Sequence, residues 1–155
     1  MKPEKRLEQI FRASAALTYG SRHFFRKTHG DMFTGAGTPD FVGHIFGLHT
    51  ELELKVYQGV FSQAQKNNIM EVSRTGGFTG GIFQYEDLFY YLNPDQVNGF
   101  TLRDRRNWTP LPMNRIATRE GLEPRLNLMP LTIMVTLYIE QMRAVKHHQP
   151  VGVAT

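Results

Sequence analysis

Along the first twenty residues, apolar side chains recur every three or four positions. Leu7, Ile10, Phe11 and Leu17 form one stripe, with Ser14 on it. That period predicts a helix over 4–18, with Gly20 able to end it. The period then shortens. Residues 21–27 read as a strand, and 30–38, with three glycines, as a loop. Residues 40–46 read as a second strand, turned at Gly47. Over 49–56 the alternation is clearest, with Leu52, Leu54 and Val56 set between Glu51, Glu53 and Lys55. Gly59 breaks this strand. A helix is expected from Ser62 to about Arg74, then Gly76-Gly77 and a short strand over 79–84. Beyond that point the pattern predicts a helix over 86–92, a loop rich in Pro and Asn, and a helix over 130–146. A loose tail is expected from His147. The order helix, three strands, helix, strand predicts an α/β fold, a mixed central sheet flanked by helices.

Length and composition add bounds. With 155 residues and 41% hydrophobic content the chain suits one domain with a sizeable core. Cysteine is absent, which excludes a disulfide scaffold, a Cys-based zinc site and a thiol nucleophile. The longest apolar run, Leu131 to Ile139, is interrupted by Thr132 and Thr136 and falls well short of the ~20 residues of a bilayer span. The N-terminal charges run straight into the amphipathic pattern, unlike a secretory signal, so a cytoplasmic location is expected. The net charge of +4 is unevenly spread. Residues 1–30 hold seven Lys and Arg against two Glu, residues 31–100 three against eight acidic residues, and residues 101–155 eight against four. An acidic middle between basic ends suits a polyanion-binding protein that keeps carboxylates for a cation.

The chemistry concentrates around the clearest strand. Glu51, Glu53 and Lys55 share one face, which a solvated, ion-paired sheet surface would also explain. Asp40 follows Pro39 into the preceding strand, and the Gly47 turn lets Asp40 and Glu53 meet across a hairpin. A hard divalent cation such as Mg²⁺ takes oxygen ligands, commonly one or two carboxylates plus waters and substrate phosphate. Lys55, one pleat from Glu53, would then reach the attacking water or the scissile phosphate. That set suits phosphodiester hydrolysis.

In order along the chain, Gly37-Thr38-Pro39-Asp40 and Glu53-Leu54-Lys55 resemble the signature of the PD-(D/E)xK nuclease superfamily. The continuation Gly59-Val60-Phe61-Ser62-Gln63-Ala64-Gln65-Lys66, followed by Gly76-Gly77, is similar to its VRR-NUC (virus-type replication-repair nuclease) branch. The resemblance covers residues 4–84 and implies a restriction-endonuclease-like core over 1–84, an extension over 85–146 packed on it, and a tail over 147–155. It implies that Asp40 and Glu53 ligate a metal together with the backbone carbonyl of Leu54. Lys55 would be the catalytic lysine, and Gln65 would point back to the site. Ser62-x-x-Gln65 is also a helix capping box, and both roles can coexist. An acidic residue of the first helix is expected at the metal. Glu4, on the core-facing stripe, is preferred to Glu8. The implied cofactor is Mg²⁺, with Mn²⁺ able to substitute.

Basic residues supply candidate DNA contacts: Arg22, Arg26 and Lys27 before the glycine loop, and Arg103, Arg105 and Arg106 further on. Lys27 is the preferred single contact, although an ordinary charged strand edge would look the same. Trp108 could stack on a base or anchor a loop in the core. His29, His44 and His49 are assigned no role, His147 and His148 belong to the tail, and Met129, Met134 and Met142 fit a packed helix face. The resulting expectation is a Mg²⁺-dependent endodeoxyribonuclease acting on branched or flapped DNA, a small phage-like repair or recombination enzyme that could act as a homodimer. The alternative is a catalytically inactive DNA-binding protein that retains the fold.

Overall fold

The computed structural model describes residues 1–27 and 39–147, with the side chain of His147 outside that description. The glycine loop and the last residues of the tail therefore lie outside the described residues. So do Gly37 and Thr38 of the first motif, together with His29 and His148.

The first helix, α1 (Pro3–Tyr19), is followed by a single 3₁₀ turn over Gly20–Arg22. The first strand, β1, accordingly starts at His23 rather than at 21 and runs to Lys27. Then come β2 (Phe41–Ile45), β3 (Leu48–Val56), α2 (Gln63–Arg74) and β4 (Phe78–Tyr85). Up to this point the elements appear in the expected order and near the expected bounds. β1 to β4 stand side by side in chain order, and β3 with β4 is the parallel pair, joined through α2.

The expected helix over 86–92 is instead a strand, β5 (Leu88–Leu92), antiparallel to β4. The reason is physical. Phe89 and Tyr91 enter one core while Leu92, with Tyr90 beside it, enters the other, so both faces are apolar and no polar alternation marks the strand. The stretch expected to be loop also holds structure. It contains α3 (Pro94–Asn98), a 3₁₀ turn over Leu102–Asn107, the short edge strand β6 (Thr109–Pro110), and the hairpin β7 (Met113–Thr118) with β8 (Gly121–Leu126). Asn93 and Gln96 form a complete capping box for α3, with Pro94 in its first turn. The final helix, α4 (Met129–His147), matches expectation closely.

Helices cover both faces of the six-stranded sheet. On one face, Leu7 and Phe11 of α1 and Leu131 and Val135 of α4 pack with Leu52, Leu54 and Ile82, all essentially without exposure. On the other, Ile69 of α2 and Val97 of α3 pack with Phe61, Phe83, Leu92 and Trp108. Among the described residues, no helix is long and apolar enough to cross a membrane. The carboxylate-bearing face of β3 thus lies under α2 and is not a solvated surface.

Candidate active site

The β2–β3 hairpin sets the position of the first carboxylate. Its two turn residues, Phe46 and Gly47, both have positive φ, 52° and 80°. That is the backbone a two-residue turn needs to match the strands' twist. The turn fixes Phe41 opposite Leu52, which carries Asp40 alongside Glu53 and Leu54. Past the end of that register, the Leu54 N–H donates to Asp40 Oδ2 at 2.8 Å.

Glu53 is 3% exposed. Its Oε1 accepts a hydrogen bond from Gln65 Nε2 at 2.7 Å. Its Oε2 is buried with no donor among the described residues. The side chain within hydrogen-bonding reach of this carboxyl is the Asp40 carboxylate, which can pair with it only through a shared proton. Burial pushes the Glu53 carboxyl up to about 9, and the neighbouring Asp40 carboxylate adds to the rise against the opposing charge of Lys55. An orphaned acidic oxygen beside a second carboxylate costs free energy unless a proton or a cation joins it.

Gln65 is held from two sides. Its Oε1 accepts from the Ser62 N–H at 2.8 Å, and its own N–H donates to Ser62 Oγ at 3.1 Å. The capping box orients the amide, and the Nε2 that remains reaches Glu53. The two expected roles are thus geometrically compatible. One turn along, Asn68 Nδ2 donates to Glu51 Oε1 at 3.3 Å, a contact the sequence analysis missed. Its signal was the three-residue spacing from Gln65, matched to the two-residue spacing from Glu53 to Glu51.

Glu4, in the first turn of α1, is exposed rather than core-facing as expected, and Glu8 is the more buried of the two. Glu4 is nonetheless within electrostatic reach of this group. Partial burial raises the Glu4 carboxyl, Lys55 and Lys27 pull it down, and Asp40 and Glu8 push it up. Glu8 is committed elsewhere, since its Oε2 pairs with Lys27 Nζ at 2.7 Å. That ion pair ties β1 to α1 and leaves Lys27 less free for phosphate than expected. Arg22 and Arg26 are exposed. Arg105 donates to the Leu102 carbonyl at 3.1 Å, while Arg103 and Arg106 line a cavity with Tyr90 and Trp108. Trp108 is 3% exposed and packs against Phe83, Tyr90 and Phe100, so it anchors the core and is not open to a base. His49 is used up on Glu51 at 2.6 Å, and His44 stacks on Phe24.

Asp40, Glu53, Lys55 and Glu4 thus stand within electrostatic reach of one another, and Gln65 joins them through its hydrogen bond to Glu53. No protein-family model matches the chain, and no curated protein matches its sequence. Among solved structures it is similar to Hjc, a Holliday junction resolvase from the archaeal hyperthermophile Archaeoglobus fulgidus, at 10% identity. The match covers 57% of this chain and 78% of that one, with a TM-score of 0.43. A likeness of that size leaves the functional reading to the site itself. Among the described residues no three His, Asp or Glu side chains form a ready metal cage. What fits a cation is narrower: two adjacent carboxylates, one with an orphaned buried oxygen. That is the donor set a Mg²⁺ ion uses when waters and substrate complete its shell.

Proposed function

We propose that this chain is a metal-dependent DNA endonuclease of the PD-(D/E)xK type, hydrolysing phosphodiester bonds in branched or flapped DNA. The observation that carries this reading is the orphaned Oε2 of Glu53, buried beside Asp40, in a strand that presents Lys55 one pleat on. Such an oxygen lacks the partner a divalent cation would provide. Asp40 and Glu53 would hold the ion with the Leu54 carbonyl, and Glu4 suits the fourth position better than Glu8, which Lys27 occupies. The ion would be Mg²⁺, replaceable by Mn²⁺, and when bound it would acidify water and offset charge on the reacting phosphate.

The chain's own residues have separable tasks. Asp40 is fixed by the Leu54 N–H, so its second oxygen keeps a constant direction. Gln65 restrains Glu53 and settles which oxygen stays available. Lys55 orients the nucleophile and holds a phosphate oxygen. Arg22 and Arg26, with Arg103, Arg105 and Arg106, would contact flanking phosphates. Membership of the VRR-NUC branch is part of this reading and rests on the Gly59–Lys66 run with Gly76-Gly77. On the same reading, residues 1–84 are the catalytic core and 85–146 an extension on it. Met129, Ile133 and Leu137, exposed at four-residue spacing on α4, offer a self-complementary stripe through which two copies would bring two sites to one four-way junction. Sedimentation at micromolar concentration would show that dimer.

Cleavage of a synthetic four-way junction, a flap and plain duplex tests the reading. Mg²⁺-dependent cutting of the branched substrates is expected, abolished by EDTA and lowered more than about a hundredfold by Asp40→Ala. DNA binding without scission would point to the inactive alternative, and undiminished cutting by Asp40→Ala would remove the site.

A further inference from the structure

The row of side chains that carries Glu53 and Lys55 does not stop at the end of β3. The N–H of Tyr57 donates to the Gln84 carbonyl at 2.9 Å, which carries the parallel β3–β4 pairing beyond Val56. Continued by two residues from Lys55, that register sets Tyr57 beside Tyr85. Their ring centroids are 5.0 Å apart at an interplanar angle of 68°. The Arg105 guanidinium lies over the Tyr85 ring, 4.4 Å from its centroid, and is steadied by its bond to the Leu102 carbonyl. The order from the proposed site outward is therefore Lys55, Tyr57, Tyr85, Arg105.

Tyr57 belongs to neither buried cluster and is 43% exposed. Val60, in the same loop, is 64% exposed. The loop turns back at once, since the Gly59 N–H donates to the Val56 carbonyl at 2.7 Å. A Cβ at Gly59 would stand 3.6 Å from Lys55 Cδ, so the loop backbone lies along the lysine stem. An exposed aromatic ring, braced from behind by a second ring and a cation, contributes little to the core. It is a surface on which a planar apolar group can settle without reordering the protein.

We propose that Tyr57, braced by Tyr85 and Arg105, is a stacking shelf for one unpaired nucleobase beside the scissile phosphate. Arg103 and Arg106, exposed on either side of Arg105 in the chain, would take the backbone of the same strand. Every base has a π-face, so such a shelf reads the absence of pairing and not the sequence. It would give the nuclease its preference for flaps and junction centres over continuous duplex. This assignment rests on the nuclease reading for its ligand, and it concerns a binding surface whose readout needs no chemistry.

The test uses the full chain in EDTA, with two probes of one sequence that carry 2-aminopurine at one position. The base is unpaired at a flap in the first probe and paired within duplex in the second. Tight flap binding with quenching of the probe is expected for the unaltered protein. Tyr57→Ala should weaken flap binding about tenfold and abolish the quench, with duplex affinity unchanged. Tyr57→Phe and Tyr57→Trp should retain both properties, which a role for the hydroxyl or for packing alone would not allow. Equal loss on both probes, no loss on either, or failure of Tyr57→Phe to rescue would overturn the shelf, as would a protein that binds neither probe. Tyr57-dependent flap binding without Mg²⁺-dependent scission would retain the shelf and remove the nuclease. Scission with flap binding indifferent to Tyr57 would do the reverse.

Discussion

At Glu53 the demands of folding and of the proposed chemistry oppose each other. Its carboxyl is pushed from the ordinary 4.5 up to about 9, by burial first and by Asp40 second. A carboxyl with a raised native value favours the protonated form in the fold. Its contribution to stability is complete below the unfolded value and is lost as pH rises from about 4.5 through about 9. Metal-free protein should therefore lose stability across that window, at no more than roughly 1.4 kcal/mol per pH unit. Glu53→Gln keeps an oxygen for Gln65 and turns a donor toward Asp40. It should flatten the dependence and raise the melting temperature at pH 8 while removing cleavage. Melting curves from pH 5 to 8 without metal check this, and parallel slopes for the two proteins would contradict it. Gln65 separates the two roles differently. Gln65→Glu preserves the capping box of α2 but sets a further carboxylate against Glu53, beside Asp40, so helix content should hold while cleavage falls about ten- to a hundredfold.

Between elements, one buried hydroxyl joins α1 to the C-terminal hairpin. Ser14 is fully buried, donates to the Ile10 carbonyl at 2.6 Å, and accepts from the Leu126 N–H at 2.8 Å. Ser14→Ala would leave that buried N–H without a partner and should cost about 1–3 kcal/mol in chemical denaturation. Ser14→Thr, which retains the hydroxyl, should cost less. A shift within a few tenths of a kcal/mol for Ser14→Ala would mean that the hairpin docks by apolar contact alone. Ser14 also marks how far the elements were legible in the chain. Its place on the inward stripe of α1 showed in the spacing, as did the β2–β3 hairpin and the start of α2, because each has one wet side or a chemical punctuation mark. β5 did not show, since Phe89 and Leu92 are buried on opposite faces and no polar alternation remains. The burial of Glu53 was hidden for the converse reason: its alternation with Leu52 and Leu54 reads as a solvated face until α2 is laid over it. The shelf of Tyr57 and Tyr85 spans 28 positions and depends on a parallel register that local spacing does not encode.

Across the whole molecule, charge counted along the chain and charge available at the surface differ. The acidic middle includes Glu53, whose carboxyl is held well above its ordinary value by burial and the Asp40 carboxylate, and Glu51, which accepts bonds from His49 and Asn68. In the basic N-terminal stretch Lys27 is neutralised by Glu8 at 2.7 Å. Arg103 and Arg106 remain exposed and form no ion pair among the described residues. Binding to a polyanion releases condensed counterions, and the slope of log affinity against log salt counts the phosphates that are neutralised. Arg103→Ala and Arg106→Ala should each weaken binding whatever the DNA sequence and shallow that slope by about one. Lys27→Ala should change the slope by much less, because its charge is already matched, and should act mainly on stability through the freed Glu8. Salt titrations of the three variants on a single duplex decide between surface charge and sequence charge. A larger slope change for Lys27→Ala than for Arg103→Ala would mean that DNA displaces Glu8 from Lys27, and that the strand beside the carboxylates, rather than the arginine turn, carries the backbone.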